Sequence, residues 1–188
     1  MRVIATDLPE VLIIEPKVHG DARGFFMEMY SEQRYRDAGV IENFVQDNLS
    51  SSAKNVIRGL HYQLKHPQAK LVSVLQGKVF DVIVDIRQGS PRFGQWVGVE
   101  LSDETHRQVY VPAGFAHGFC TLSDKVLFHY NCSDYYHPED EYGIHWNDGD
   151  INIAWPVKEE AIISDKDNKL KALKEIPLQQ LPIYSMAK

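Results

Sequence analysis

Between Val79 and Ile86 the chain alternates without a break. Phe80, Val82, Val84 and Ile86 fall on one side, and Val79, Asp81, Ile83 and Asp85 on the other. A period of two belongs to a β-strand, whose successive side chains point to opposite faces. Comparable short runs recur at Val11–Ile14, Gly24–Tyr30, Lys70–Gln76, Gln95–Leu101, Gln108–Val111 and Lys125–Tyr136. Turn signals at Gln76-Gly77, Gly89-Ser90-Pro91 and Pro112-Ala113-Gly114 separate them. Many short strands at this spacing specify an all-β sandwich or barrel. Two segments read as helix: Ser31 to Ala38, ended by Gly39, and Asp165 to Leu173, which follows Ser164 and carries Leu170 and Leu173 at helical spacing. The expected architecture is therefore a β-barrel with short peripheral helices and a helical C-terminal tail.

No internal repeat or low-complexity linker divides the 188 residues, so a single domain over 1–188 is expected. An apolar fraction of 44% is enough for a packed core. The formal charge of −6 argues against a nucleic-acid partner, which needs a basic face. A small anion held by a few local cations remains open. Neither a G-x-x-x-x-G-K-[ST] nor a G-x-G-x-x-G loop occurs, so a bound phosphate would need discrete cations. Arg23, Arg58, Lys70 and Lys166 are available, each an ordinary solvated charge by default. Cys120 and Cys132 form no C-x-x-C pair, which speaks against a disulfide framework or a Cys-rich zinc site. No run approaches the roughly 20 apolar residues of a membrane helix, and Met1–Glu10 lacks an apolar leader. Cytoplasmic residence, without a membrane partner and with both thiols reduced, is expected.

Four segments carry polar groups where a barrel would hold apolar ones. In Val56-Ile57-Arg58-Gly59-Leu60-His61-Tyr62-Gln63, a strand puts Gly59, His61 and Gln63 on one face and Leu60 and Tyr62 on the other. A buried His must be paired, which hints at a site, whereas an exposed one needs no explanation. Pro112-Ala113-Gly114-Phe115-Ala116-His117-Gly118-Phe119 reads as a tight turn that either places His117 at a pocket mouth or serves backbone geometry alone. Val126, Phe128, Tyr130 and Cys132 share a face, so Tyr130 is either a core aromatic or a proton donor to a buried substrate. Ser164-Asp165-Lys166-Asp167 fits a capping box, yet equally offers Asp167 to orient a histidine and Lys166 to grip an anion.

Pro112-x-Gly114-x-x-His117 resembles the second half of the signature of the cupins, jelly-roll barrels that often bind a metal. Their first half supplies His-x-His, and here His61-Tyr62-Gln63 replaces one imidazole with an amide, a far weaker ligand. Taken together the motifs resemble one group, the dTDP-4-dehydrorhamnose 3,5-epimerases, which are metal-free cupins. The matching strings are Gly20 to Glu28, Phe44 to Asn48, Arg58 to Gln63, Ala69 to Val72, Phe80 to Val82, Val84 to Arg87 and Phe93 to Trp96. Pro112 to Phe119, Asp134 to Tyr136 and Ser164 to Asp167 complete the series, in family order, from about residue 9 to 170.

The resemblance implies a cupin-type jelly roll, a homodimer, no cofactor and no metal. It further implies His61 as base, Asp167 as the carboxylate that orients it, Tyr130 as proton donor and Lys70 beside the sugar ketone. Arg23, Phe26, Glu28, Gln46, Asp47, Asn48, Arg58, His117, Glu141 and Lys166 match positions that hold the dTDP-sugar. Tyr135 or Tyr136 would stack on thymine, with Tyr136 favoured. Asn131 stands where many relatives have Lys, and Ala69 where Gly is common. The implied reaction inverts carbons 3 and 5 on either side of a ketone at carbon 4, so loss of either proton gives an enolate. A sister enzyme inverting only carbon 3 shares the same His, Lys and Tyr. A sugar-nucleotide-binding cupin without catalysis and a metal-dependent oxygenase are the remaining rivals.

Overall fold

Residues 1–157 and 160–185 are described by the computed structural model. Along them run β1 (Arg2–Ala5), β2 (Leu12–Glu15), β3 (Val18–Asp21), β4 (Gly24–Met27), α1 (Glu32–Asp37), β5 (Gln46–Ala53), β6 (Ile57–Gln63) and β7 (Lys70–Gln76). Then follow β8 (Lys78–Asp85), β9 (Trp96–Ser102), β10 (Gln108–Val111), β11 (Phe115–Thr121), β12 (Lys125–Cys132) and β13 (Glu141–Gly143). One sheet has the order β1-β2-β10-β7-β12-β5 and the facing sheet β13-β6-β11-β8-β9, while β3 and β4 form a separate hairpin. The two facing sheets are the sandwich that the alternating runs call for, in the jelly-roll form that the resemblance implies.

Val72, Val74, Val109, Val126 and Phe128 of the first sheet pack against Val79, Ile83, Val97, Phe115 and Phe119 of the second. The second sheet is also covered on its outside. Val82, Val84, Ile86, Ala116 and Cys120 pack there against Trp155, Leu173, Ile176 and Leu181 of the C-terminal segment. Both faces of β8 are thus buried, so one alternating set is wholly apolar and Asp81 and Asp85 in the other must each find a partner. On the other sheet, α1 and the turn after it bring Tyr35 and Val40 onto Ile14, Leu71 and Tyr110.

Asp85 is one of the two aspartates in β8, fully buried yet ionic. It accepts bonds from Arg87 Nε (2.9 Å) and Nη2 (2.7 Å) and from Ser90 Oγ (2.6 Å). Arg87 in turn lies over the Phe115 ring, 4.0 Å from its centroid. Burial opposes ionisation of Asp85, but the bonds from Arg87 and Ser90 outweigh it and hold the carboxyl below its ordinary range. A depressed folded pKa adds stability above the unfolded value, about 3.9, and that stability is lost as pH falls through the folded pKa. Asp85→Asn is therefore expected to lower the unfolding free energy by about 3 kcal/mol near neutral pH, because it removes the main charged partner of a largely buried guanidinium and leaves it only Glu10. Urea titration should show the gap between parent and variant narrowing below about pH 4.

Three boundaries differ from expectation. The run from Gly24 stays in strand only to Met27, and that from Lys125 only to Cys132. The segment from Asp165 to Leu173 is not an α-helix. The tail holds separate 3-10 turns at Asp167–Lys169, Leu173–Glu175 and Leu178–Gln180. Leu170 leaves the helical region, Lys171 bridges to Ile144, and the Leu173 N–H donates to Asp148 Oδ2 at 2.6 Å. Tertiary partners take the backbone groups that a helix would have paired internally.

Candidate active site

A cavity of about 500 Å³ opens between β6 and β11 on one side and β5, β7 and β12 on the other. Its first wall depends on a break in strand register. His61 faces His117 across the β6–β11 ladder, while Arg58 faces Phe119, so three steps on β6 match two on β11. The extra residue is a bulge, and it reverses the alternation so that Arg58 and His61 both line the cavity. Gly59 sits at φ +117°, where an added Cβ would come within 2.6 Å of Gly118 Cα, so the two strands meet glycine to glycine. Beyond the bulge the period of two resumes: His61 and Gln63 line the cavity, and Leu60 and Tyr62 enter the outer core.

His61 Nε2 lies 2.7 Å from Asp167 Oδ1, and the Gly59 N–H donates to Asp167 Oδ2 at 3.3 Å. The Asp167 N–H donates to Ser164 Oγ at 3.0 Å, so the serine caps the turn while the carboxylate points to the imidazole. Burial would raise the Asp167 pKa, but the hydrogen bond and charge of His61 pull it below its ordinary value. Glu141 Oε1 stands 3.8 Å from His61 Nδ1. Its other oxygen accepts from Lys166 Nζ and, at 2.6 Å, from the Tyr136 hydroxyl. Burial works against the Glu141 charge, yet the bonds from Lys166 and Tyr136 keep this carboxyl low as well. The bond to Glu141 pushes the Tyr136 phenol up to about 12.

The second wall comes from β12, β7 and β5. Tyr130 and Cys132 point inward from β12, Lys70 from β7, and Gln46 and Asn48 from β5. Behind Tyr130, Phe128 stacks on Phe119 with ring centroids 3.9 Å apart, fixing the floor. Desolvation raises the Tyr130 pKa, with Cys132 and Glu141 adding to it, so the phenol stays protonated. Desolvation lowers the pKa of Lys70, partly offset by Cys132, Glu141 and Asp81.

His117 completes the first wall, with Nε2 at 2.8 Å from Asp81 Oδ1. Asp81 is fully buried, and sequence reasoning assigns it no role. The signal for it is nonetheless present, because an acid in the middle of an apolar strand must have a partner. Gln63 is a second residue that sequence reasoning misses. Its amide donates to the carbonyls of His66 (2.7 Å) and Tyr135 (3.1 Å) and accepts from the His137 N–H (2.8 Å). Gln63 is thus taken up by backbone groups, and His61 and His117 each hold a carboxylate through Nε2.

Four expected site residues lie elsewhere. Asp47 is on the opposite face of β5 from Gln46 and Asn48, where it pairs with Asn131. Arg23, Phe26 and Glu28 belong to the β3–β4 hairpin and its exit, and do not line this cavity. Arg23 pairs with Asp21, Glu28 with Arg34 at 2.5 Å, and Phe26 is 73% exposed. Of the two tyrosines, Tyr136 reaches the cavity rim and Tyr135 does not.

Residues 5–175 match the family described as dTDP-4-dehydrorhamnose 3,5-epimerase. A dTDP-4-dehydrorhamnose 3,5-epimerase from Shigella flexneri is 55% identical over 169 residues, covering 89% of this chain and 93% of the relative. The solved structure of a dTDP-6-deoxy-D-glucose-3,5-epimerase from Legionella pneumophila, in complex with dTDP-4-keto-L-rhamnose, superposes with a TM-score of 0.96. It is 53% identical and covers 98% of this chain and 99% of that one. A 3'-monoepimerase from Streptomyces bikiniensis, in complex with dTDP-quinovose, is more distant, at 33% identity and a TM-score of 0.90 over 96% of this chain and 92% of that one.

Proposed function

Because the chain belongs to the dTDP-4-dehydrorhamnose 3,5-epimerase family, we propose that His61 and Tyr130 act as base and acid on a dTDP-4-keto sugar held between them. The chain is an isomerase, and its reaction is the double inversion that converts dTDP-4-dehydro-6-deoxy-D-glucose to dTDP-4-dehydro-L-rhamnose. One observation carries the assignment of roles: the imidazole of His61 and the phenol of Tyr130 line the same cavity.

Inversion next to a ketone requires proton removal from one face of the carbon and return to the other. With Nε2–H donated to Asp167, the lone pair of His61 is on Nδ1, and Asp167 favours the imidazolium that forms. The electron pair left on carbon delocalises onto the carbon 4 oxygen, where the Lys70 ammonium stabilises it in a largely desolvated site. Tyr130, protonated at rest, delivers the new proton. Arg58 and Lys166 are cations for the diphosphate, and Tyr136 at the rim offers its ring to thymine. His117, held by Asp81, and Gln46 and Asn48 provide polar contacts to the sugar nucleotide.

We read the whole of 1–188 as one working unit, supported by the packing of Leu173, Ile176 and Leu181 onto the sheet that bears His61. The protein works as a homodimer in the cytoplasm on this reading. In such a dimer Arg23, Phe26 and Glu28 would serve a second copy's cavity. The exposure of Phe25 (59%) and Phe26 (73%) on the hairpin supports that. Two free thiols, Cys120 and Cys132, fit a reducing compartment.

The test is incubation with dTDP-4-keto-6-deoxyglucose in heavy water, followed by proton NMR. Deuterium at carbons 3 and 5 is expected. Incorporation at carbon 3 alone would mark a monoepimerase, and none at all a mere binder. Tyr130→Phe should still exchange the substrate's carbon-bound protons, while completed inversion falls by about 10²-fold or more. Loss of exchange in that variant would remove Tyr130 from its role as donor.

A further inference from the structure

Outside the cavity, His66, Asp134 and His137 each offer one donor atom, and these atoms all lie within 4.8 Å of one another. None of the three lines the catalytic cavity. The two imidazoles lie side by side, centroids 3.8 Å apart and planes 17° from parallel. His66 Nδ1 is 3.7 Å from Asp134 Oδ2, too long for a hydrogen bond. His137 Nδ1 has a second carboxylate near it, Glu139 Oε1 at 3.3 Å.

The backbone beneath these side chains is pinned. Gln63 ties the His66 carbonyl to the His137 N–H, Asp140 accepts from the His66 N–H at 2.8 Å, and Gln68 donates to the Asp134 carbonyl at 2.8 Å. The side chains remain open to solvent, 45% for His66, 38% for Asp134 and 31% for His137. The cluster is thus a fixed base with three accessible donors. Two imidazoles and a carboxylate suit zinc and its neighbours rather than the oxygen-seeking calcium or magnesium. Metal–ligand bonds of about 2.0–2.2 Å put donors roughly 3.3 Å apart, so the side chains need to close by up to about 1.5 Å and the two stacked rings to tilt until their lone pairs meet.

We propose that His66, Asp134 and His137 bind one divalent ion of the zinc class, which links the β6–β7 loop to the segment between β12 and β13. Water or Glu139 fills the remaining position. The site is separate from the base and acid of the cavity, so it stands or falls independently of the reaction assigned there.

Zn²⁺ titration by calorimetry into untagged, chelator-treated full-length protein tests this, with Co²⁺ as a spectroscopic probe. One equivalent per chain is expected, with visible cobalt bands characteristic of bound nitrogen donors. His66→Ala and His137→Ala should each weaken binding by about ten-fold or more, while His19→Ala on the β3–β4 hairpin, outside the cluster, binds like the parent. Unchanged melting temperatures in chelator confirm that the variants fold. The proposal is overturned if no saturable binding occurs below about 1 mM Zn²⁺, or if the double variant binds as tightly as the parent.

Discussion

His61→Asn is expected to reduce turnover by about 10²–10⁴-fold, the range that positioned general acid–base catalysis supplies. The asparagine amide reaches only the place of Nδ1, so the 2.7 Å contact that Nε2 makes with Asp167 is lost along with the base, while a smaller polar side chain leaves the strand pairing of the cavity wall in place. It has no nitrogen able to take a proton from carbon. The variant should therefore lose both inversions and solvent exchange at carbons 3 and 5 together, with an unaltered circular dichroism spectrum. That joint loss separates the base from the proton donor, since Tyr130→Phe keeps exchange while losing inversion. Full turnover in the variant would show that some other group removes the proton.

Lys70→Met should follow closely, with kcat down by about 10²–10³-fold, as when one oxyanion-stabilising donor is removed from a catalytic site. Methionine matches the length of the lysine stem but carries no charge to meet the enolate oxygen. Lys70 projects from β7 into a region where desolvation already disfavours its charge. The ammonium has few competing solvent contacts there, and a developing oxyanion becomes its natural partner. Because the lost interaction belongs to the transition state, kcat should fall while KM changes little. A rise in KM with kcat intact would make Lys70 a binding group only. Exchange in heavy water should fall with kcat, in contrast to Tyr130→Phe, which leaves proton removal working.

Much of the framework is legible from alternation alone. The period of two in Val79–Ile86 identifies a strand, and the burial of both its faces is explained by the C-terminal segment lying over the sheet. The inward set Val126, Phe128, Tyr130 and Cys132 on β12 also follows from simple parity. Parity fails at Arg58, because the bulge opposite Gly118 adds a residue that no local propensity marks. The tail escapes for a different reason. Leu170 and Leu173 have helical spacing, yet Asp148, 25 residues away from Leu173, takes the N–H that a helix would use. Asp47 shows parity acting against a motif, since its neighbours Gln46 and Asn48 face the cavity and it therefore cannot. Asp81 needs a partner that lies 36 residues along the chain, which composition can suggest but not name.

The carboxylate that orients His61 arrives 106 residues later in the chain, on the final turns rather than on the barrel strands. A polypeptide cut short anywhere between Gly143 and Asp167 would own every sheet strand and the imidazole, yet lack the group that sets its tautomer. Clipping in this stretch should thus remove the tautomer-setting carboxylate and uncover the outer face of the His61 sheet in one event, so that catalytic competence and the integrity of that sheet are lost together.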